Sequence, residues 1–164
     1  MIYERIFETL NRHGVKYLVV GGVAVVLYGC QRFTYDLDIV VQLEADNIKR
    51  LAKAAAELRL VPRVPVKIEQ LGDEKVRQGW IDDKGMIVFT LVTLDNPPVL
   101  VDIFVKEPFD FDKAYNECKK IKAGEIDVPI VSIDALIYLK KEAARAKDLA
   151  DIAMLEELKK CGKI

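Results

Sequence analysis

The sequence predicts a mixed central β-sheet with helices packed on it, an α/β (α+β) arrangement that closes in a C-terminal helical segment. Three observations carry that expectation. Short apolar, β-branched runs recur between longer stretches whose apolar residues fall at helical spacing. Turn compositions at 82–85 (Asp-Asp-Lys-Gly) and 95–98 (Asp-Asn-Pro-Pro) separate strand-like runs directly, which makes those strands antiparallel neighbours. Finally, the 164 residues contain no repeat, low-complexity tract or linker. One domain is therefore expected, with a core over 1–131 and helices over 132–164.

The elements follow in order. Ile2, Ile6, Phe7 and Leu10 share a helical face, so 2–12 reads as a helix leading into a strand at 17–20. That strand stops at Gly21-Gly22, and 23–28 is apolar almost all round, as a buried helix is, with Gly29 as its stop. A polar loop precedes Asp36-Leu37-Asp38-Ile39-Val40-Val41, a strand. Asp46 opens a helix that ends before Pro62. An edge strand is expected at 64–69, beside Pro62 and Pro65. The stretch 71–78 reads as one or two helical turns. Trp80-Ile81 and 86–94 flank the 82–85 turn as a hairpin, and 99–105 is a central strand. A helix at 109–118 and a strand at 126–131 lead to Ser132, a helix N-cap. Residues 133–146 are then helical, and 149–160 continue that helix or form a second.

Composition excludes several chemistries. Charges nearly balance, at a formal −1, so no global field draws the chain to nucleic acid or anionic membrane. A local basic surface at Lys119, Lys120 and Lys122 still offers an RNA contact. No run is long enough to cross a bilayer, and Cys30, Cys118 and Cys161 lack metal-ligand spacing, which fits a reducing cytoplasmic setting. The only serine, Ser132, and the only histidine, His13, both have good structural roles at helix ends, which argues against a Ser-His-Asp hydrolase. What remains is carboxylate, lysine, arginine and bound metal.

Asp36 and Asp38 point to the same side of their strand. Two carboxylates there repel each other and lose solvation, and a divalent cation between them is the economical remedy. Asp102 sits among six apolar neighbours in VLVDIFV, where an unpaired carboxylate costs several kcal/mol. Read alone, Asp102 pairs with a buried arginine or caps a loop. In the last helix, Lys140 and Lys147 extend an apolar stripe and can snorkel. Lys147 with Asp151 and Arg145 with Asp148 have the spacing of ordinary intrahelical ion pairs.

Strand, Gly-Gly, buried helix and Arg-x-Thr-x-Asp-x-Asp, in that order, resembles the signature of the nucleotidyltransferase superfamily, the DNA polymerase β-like fold. The closing pattern Leu-Ile-x-x-Lys140, Ala143, Arg145, Lys147-Asp148, Asp151-Ile152 is similar to the last motif of its AbiEii-type prokaryotic branch, known for toxins of toxin–antitoxin systems. The resemblance implies that Asp102 is a third carboxylate beside Asp36 and Asp38, the three holding Mg²⁺, or Mn²⁺ in its place. It also implies that Gly21 and Gly22 let the backbone approach a triphosphate, that Arg32 and Thr34 contact phosphate or the metal shell, and that Lys140, Arg145, Lys147 and Asp148 border the nucleotide. Many relatives carry Ser where this chain has Gly22. The implied activity is transfer of an NMP from an NTP donor to a hydroxyl on a protein, an RNA end such as tRNA, or a small molecule, with release of pyrophosphate. A protein partner or a homo-oligomer is compatible with it. The alternative is a non-catalytic nucleotide- or metal-binding regulator, an interaction module of the toxin–antitoxin type. A phosphohydrolase using the same carboxylates is a third reading. A P-loop ATPase is excluded, because no Gly-x-x-x-x-Gly-Lys-Ser/Thr occurs.

Overall fold

A computed structural model describes residues 3–162. Helix α1 (Glu4–Arg12) leads into β1 (Tyr17–Val19), α2 (Gly21–Leu27) and β2 (Asp36–Val41). Then come α3 (Ala45–Glu57), β3 (Leu60–Pro62), a 3-10 turn (Ile68–Gly72), α4 (Glu74–Lys84), β4 (Val88–Thr93) and β5 (Leu100–Phe104). The chain ends in α5 (Phe111–Asn116), β6 (Lys119–Ala123), β7 (Ile126–Ile130), α6 (Ile133–Ala143) and α7 (Ala146–Lys160). The strands form one seven-stranded mixed sheet in the order β3-β4-β5-β2-β1-β7-β6. β2 runs parallel to β5 and β1 parallel to β7, while the remaining pairs are antiparallel. The expected mixed sheet with a helical C-terminal segment is therefore present. Ile2, assigned above to the first helix, lies outside the described residues.

Strand alternation divides this sheet into two unlike faces. Leu37, Ile39 and Val41 of β2, Phe89 and Leu91 of β4, and Val101 and Ile103 of β5 are all buried. Helices α1, α3 and α4 supply that cover: Phe7 stacks on Tyr17 with ring centroids 6.4 Å apart, and Trp80 on Phe89 at 5.6 Å. The alternate residues Asp36, Asp38, Val88, Thr90, Leu100, Asp102 and Phe104 are only half-buried, on the opposite face. A register slip of one residue would exchange these two sets, so the apolar set fixes where the acids point.

Three expectations are corrected. The turn at 82–85 joins no hairpin: those residues close α4, whose start is capped by Asp73, its Oδ1 accepting from the Lys75 and Val76 amides. Gly85, at φ 59°, stops the helix in the left-handed region, and the Met86 amide reaches back to the Trp80 carbonyl. Gly serves a hairpin turn and a helix stop equally well, and the cap at Asp73 decides between them. The edge strand expected at 64–69 lies earlier, at β3, because Arg59 at φ 55° turns the chain directly out of α3. Residues 119–123, read only as a basic surface, form edge strand β6, paired to β7 across Gly124-Glu125. Its exposed lysines suit an edge, where charge discourages further strand pairing.

Candidate active site

Asp38 and Asp102 are direct register partners on the parallel strands β2 and β5, and Thr90 of β4 is the partner of Asp102 on the other side. Three adjacent strands thus place two carboxylates and a hydroxyl side by side on the half-open face. The Thr90 hydroxyl donates to Asp102 Oδ1 at 2.6 Å. Asp36 begins β2 on the same face, opposite Leu100. Burial, then the negative charges of Asp102 and Asp36, push the Asp38 carboxyl up to about 6, against the Gly22 amide and Arg145, which favour its ionised form. This is a centre with too much negative charge.

The backbone beside it leaves no room for a side chain. Gly21 sits at φ 64°, and a Cβ there would lie 2.0 Å from Asp38 Oδ2. Gly22 donates its amide to the Asp38 carboxylate, so that N–H is already engaged. A Cβ at Gly22 would lie 2.6 Å from Thr34 Oγ1 and 3.1 Å from Arg32 Cζ. The space that a side chain at Gly22 would fill is taken by the Thr34 hydroxyl and the Arg32 guanidinium. The loop between α2 and β2 therefore folds back onto the first turn of α2.

The C-terminal helices form the facing wall. Ser132 caps α6, its Oγ accepting from the Ala135 amide at 3.3 Å. α6 breaks at Ala144, φ 49°, and α7 starts afresh, so 133–160 is two helices. Across the break lies a buried ionic network. Lys140 Nζ is 2.6 Å from Asp151 Oδ2 and 3.5 Å from Asp148 Oδ1, and all three side chains are under 5% exposed. Arg145 binds Asp148 through Nε at 2.7 Å and through its own amide at 3.1 Å. Burial pushes the Asp148 carboxyl up, but these Arg145 bonds and the charges of Arg145 and Lys140 outweigh it and hold the group below the ordinary carboxylate range. Arg32 Nη1 reaches Asp151 Oδ2 at 2.5 Å.

Between sheet and helices lies a cleft of about 700 Å³. Gly21, Asp38, Asp102, Lys140, Arg145 and Asp148 line it, six of the eleven residues singled out from sequence. Gly22, Arg32 and Thr34 cluster just behind Gly21, and Asp36 lies outside the lining. Lys147 is not brought to the site; it is exposed on α7, and its expected pairing with Asp151 does not form. Lys140 lines the cleft with its charge already matched internally. Thr90 was not anticipated, nor were Tyr138 and Glu142, one helical turn apart on the cleft side of α6. Among the described residues, no three His, Cys, Asp or Glu side chains form a ready-made ligand cluster. The donor set of carboxylate oxygens around a half-buried excess of negative charge nevertheless fits a hard divalent cation.

Residues 7–163 match the family model described as nucleotidyl transferase AbiEii toxin, type IV toxin–antitoxin system. The chain belongs to this family. Its fold is that of nucleotidyltransferases of known structure. An antigenic nucleotidyltransferase-like protein from Paracoccidioides brasiliensis superimposes with a TM-score of 0.62 at 17% identity, over 96% of this chain and 74% of that one. The lincosamide antibiotic adenylyltransferase LnuA, bound to lincomycin, gives 0.61 at 16% identity, over 92% of each chain. ANT(2″)-Ia in complex with adenylyl-2″-tobramycin gives 0.57 at 14% identity, over 94% of this chain and 85% of that one. No curated protein sequence matches the chain. Among the described residues, no helix is long and apolar enough to cross a membrane.

Proposed function

We propose that this nucleotidyltransferase-family chain transfers an NMP from an NTP to a hydroxyl acceptor, with Mg²⁺ or Mn²⁺ held by Asp38, Asp102 and Asp36. The single observation that carries the reading is the in-register pair Asp38–Asp102 in a cleft whose other wall presents Arg145. When bound, the cation would neutralise the carboxylates and polarise the triphosphate. Asp38 and Asp36, on one face of β2, would fix the cation on the donor side. Thr90 holds Asp102 Oδ1, which leaves Oδ2 to take the proton of the attacking hydroxyl. Arg145, anchored by Asp148, would carry positive charge toward the α-phosphate as pyrophosphate leaves. Gly21 lets the triphosphate come close to the backbone.

The cleft extends from the acids to Ile87, Val88, Phe104 and Pro108 on one side and Leu139 and Ala143 on the other. This apolar slot suits a planar base, held by shape and stacking. The family description, a toxin of a type IV toxin–antitoxin system, supports an antitoxin as the protein this chain works with or against. The test is calorimetric titration of each NTP into metal-free protein, with and without Mg²⁺, followed by pyrophosphate release with candidate acceptors. Binding that requires Mg²⁺ and is lost in Asp38→Asn is the expected result. Phosphate release in place of pyrophosphate, or binding indifferent to Mg²⁺ and to Asp38, would overturn the reading.

A further inference from the structure

Resting on that reading, we propose that Asp151 is the positioning residue for Arg32, and that Lys140 serves this arrangement instead of touching the nucleotide. The loop at 30–35 has no regular structure, and its two aromatic residues, Phe33 and Tyr35, are 94% and 85% exposed. Beyond Cys30 the loop therefore has no apolar anchor. Arg32, by contrast, is only 16% exposed, and its guanidinium packs over Gly22 beside Thr34. Asp151 of α7 is its partner, and the Asp151 side chain is only 3% exposed.

The contacts form a chain of alternating charge. Asp148 and Asp151 hold Lys140; Asp151 Oδ2 takes Lys140 at 2.6 Å and Arg32 at 2.5 Å. Lys140 holds the same Asp151 oxygen from α6 and so fixes where that carboxylate points. Arg32 Nη1 is spent on Asp151 while the guanidinium carbon lies over Gly22, so the other N–H donors are the ones left to meet a phosphate brought to Gly21-Gly22. A lysine in place of Arg32 could not hold both partners in one plane.

The experiment is a double-mutant cycle on binding. Mg²⁺-dependent binding of inorganic tripolyphosphate is measured by calorimetry for the wild type, Asp151→Asn, Arg32→Gln and the double variant, with circular dichroism as the check on folding. Each single variant is expected to weaken binding about tenfold or more, as loss of one charge-assisted contact does. If Asp151 acts through Arg32, the double variant is no weaker than Arg32→Gln alone. Losses that multiply in the double variant, or wild-type binding by Asp151→Asn, would overturn the proposal while leaving the functional reading intact. Should Asp151→Asn fail to fold, Asp151→Glu, which keeps the charge but displaces it by one methylene, replaces it under the same criterion. If the wild type binds no tripolyphosphate with Mg²⁺, both the reading and this inference fall.

Discussion

The two clusters of charge in this protein, one half-buried on the sheet and one buried between helices, are built on opposite principles. On the sheet, Asp38 and Asp102 stand side by side with Asp36 nearby, and the shift of Asp38 to about 6 registers its burial first and then their repulsion. Across α6 and α7, Lys140, Arg145 and Arg32 surround Asp148 and Asp151, so the buried carboxylates are matched and one positive charge is left over. The first cluster carries negative charge that no side chain matches, which is the ground for the cation proposed above; the second is matched by its own side chains. On the proposed function, the difference separates binding from holding: the unbalanced cluster would take the ligand, and the balanced one ties α6 to α7 and to Arg32. It also explains why two residues of similar sequence appearance, Lys140 and Arg145, serve differently, one matched inside and the other facing the cleft.

Variants can break this contrast. The largest effect is expected at the sheet: Asp38→Asn or Asp102→Asn should lower NMP transfer by about a thousandfold or more, read as pyrophosphate release. Next is the network. Lys140→Ala leaves two buried carboxylates without their shared cation, and denaturant unfolding should show a loss of about 3–5 kcal/mol. The third prediction has the opposite sign. The Asp38 carboxyl rises from 3.8 to about 6 on folding, so its contribution is fully favourable below pH 4 and is lost as pH rises through 6. Asp38→Asn should therefore stabilise the metal-free protein at pH 7 by up to about 3 kcal/mol, an advantage that vanishes near pH 4. The smallest effect belongs to Lys147→Ala, which touches neither cluster and should shift stability by no more than about 0.5 kcal/mol.

Much of this was written in local pattern. Alternation along Asp36–Val41 fixed which way the acids face, and the apolar run around Asp102 marked a central strand. The Ser132 cap was equally plain. What escaped depended on pairing or on competing uses of one residue type. Thr90 has no distinguishing neighbours in sequence; only the register of β4 on β5 brings it to Asp102. Asp151 offered a local partner at helical spacing in Lys147, yet it chose Lys140 and Arg32, the second of them from another part of the fold. Asp82-Asp83-Lys84-Gly85 was misread because a helix end and a hairpin turn recruit the same glycine. Strand β6 was hidden by its exposed lysines, which suit an edge and obscure alternation.

The bond from Arg32 to Asp151 spans 119 positions of the chain. A polypeptide still emerging from the ribosome acquires both acid-bearing strands, and even the last strand of the sheet, before Asp151 is made. Until then Arg32 has no counter-ion and its loop no tether. The chemistry of this protein is thus assembled in a fixed order of synthesis, with the part that aims Arg32 arriving last.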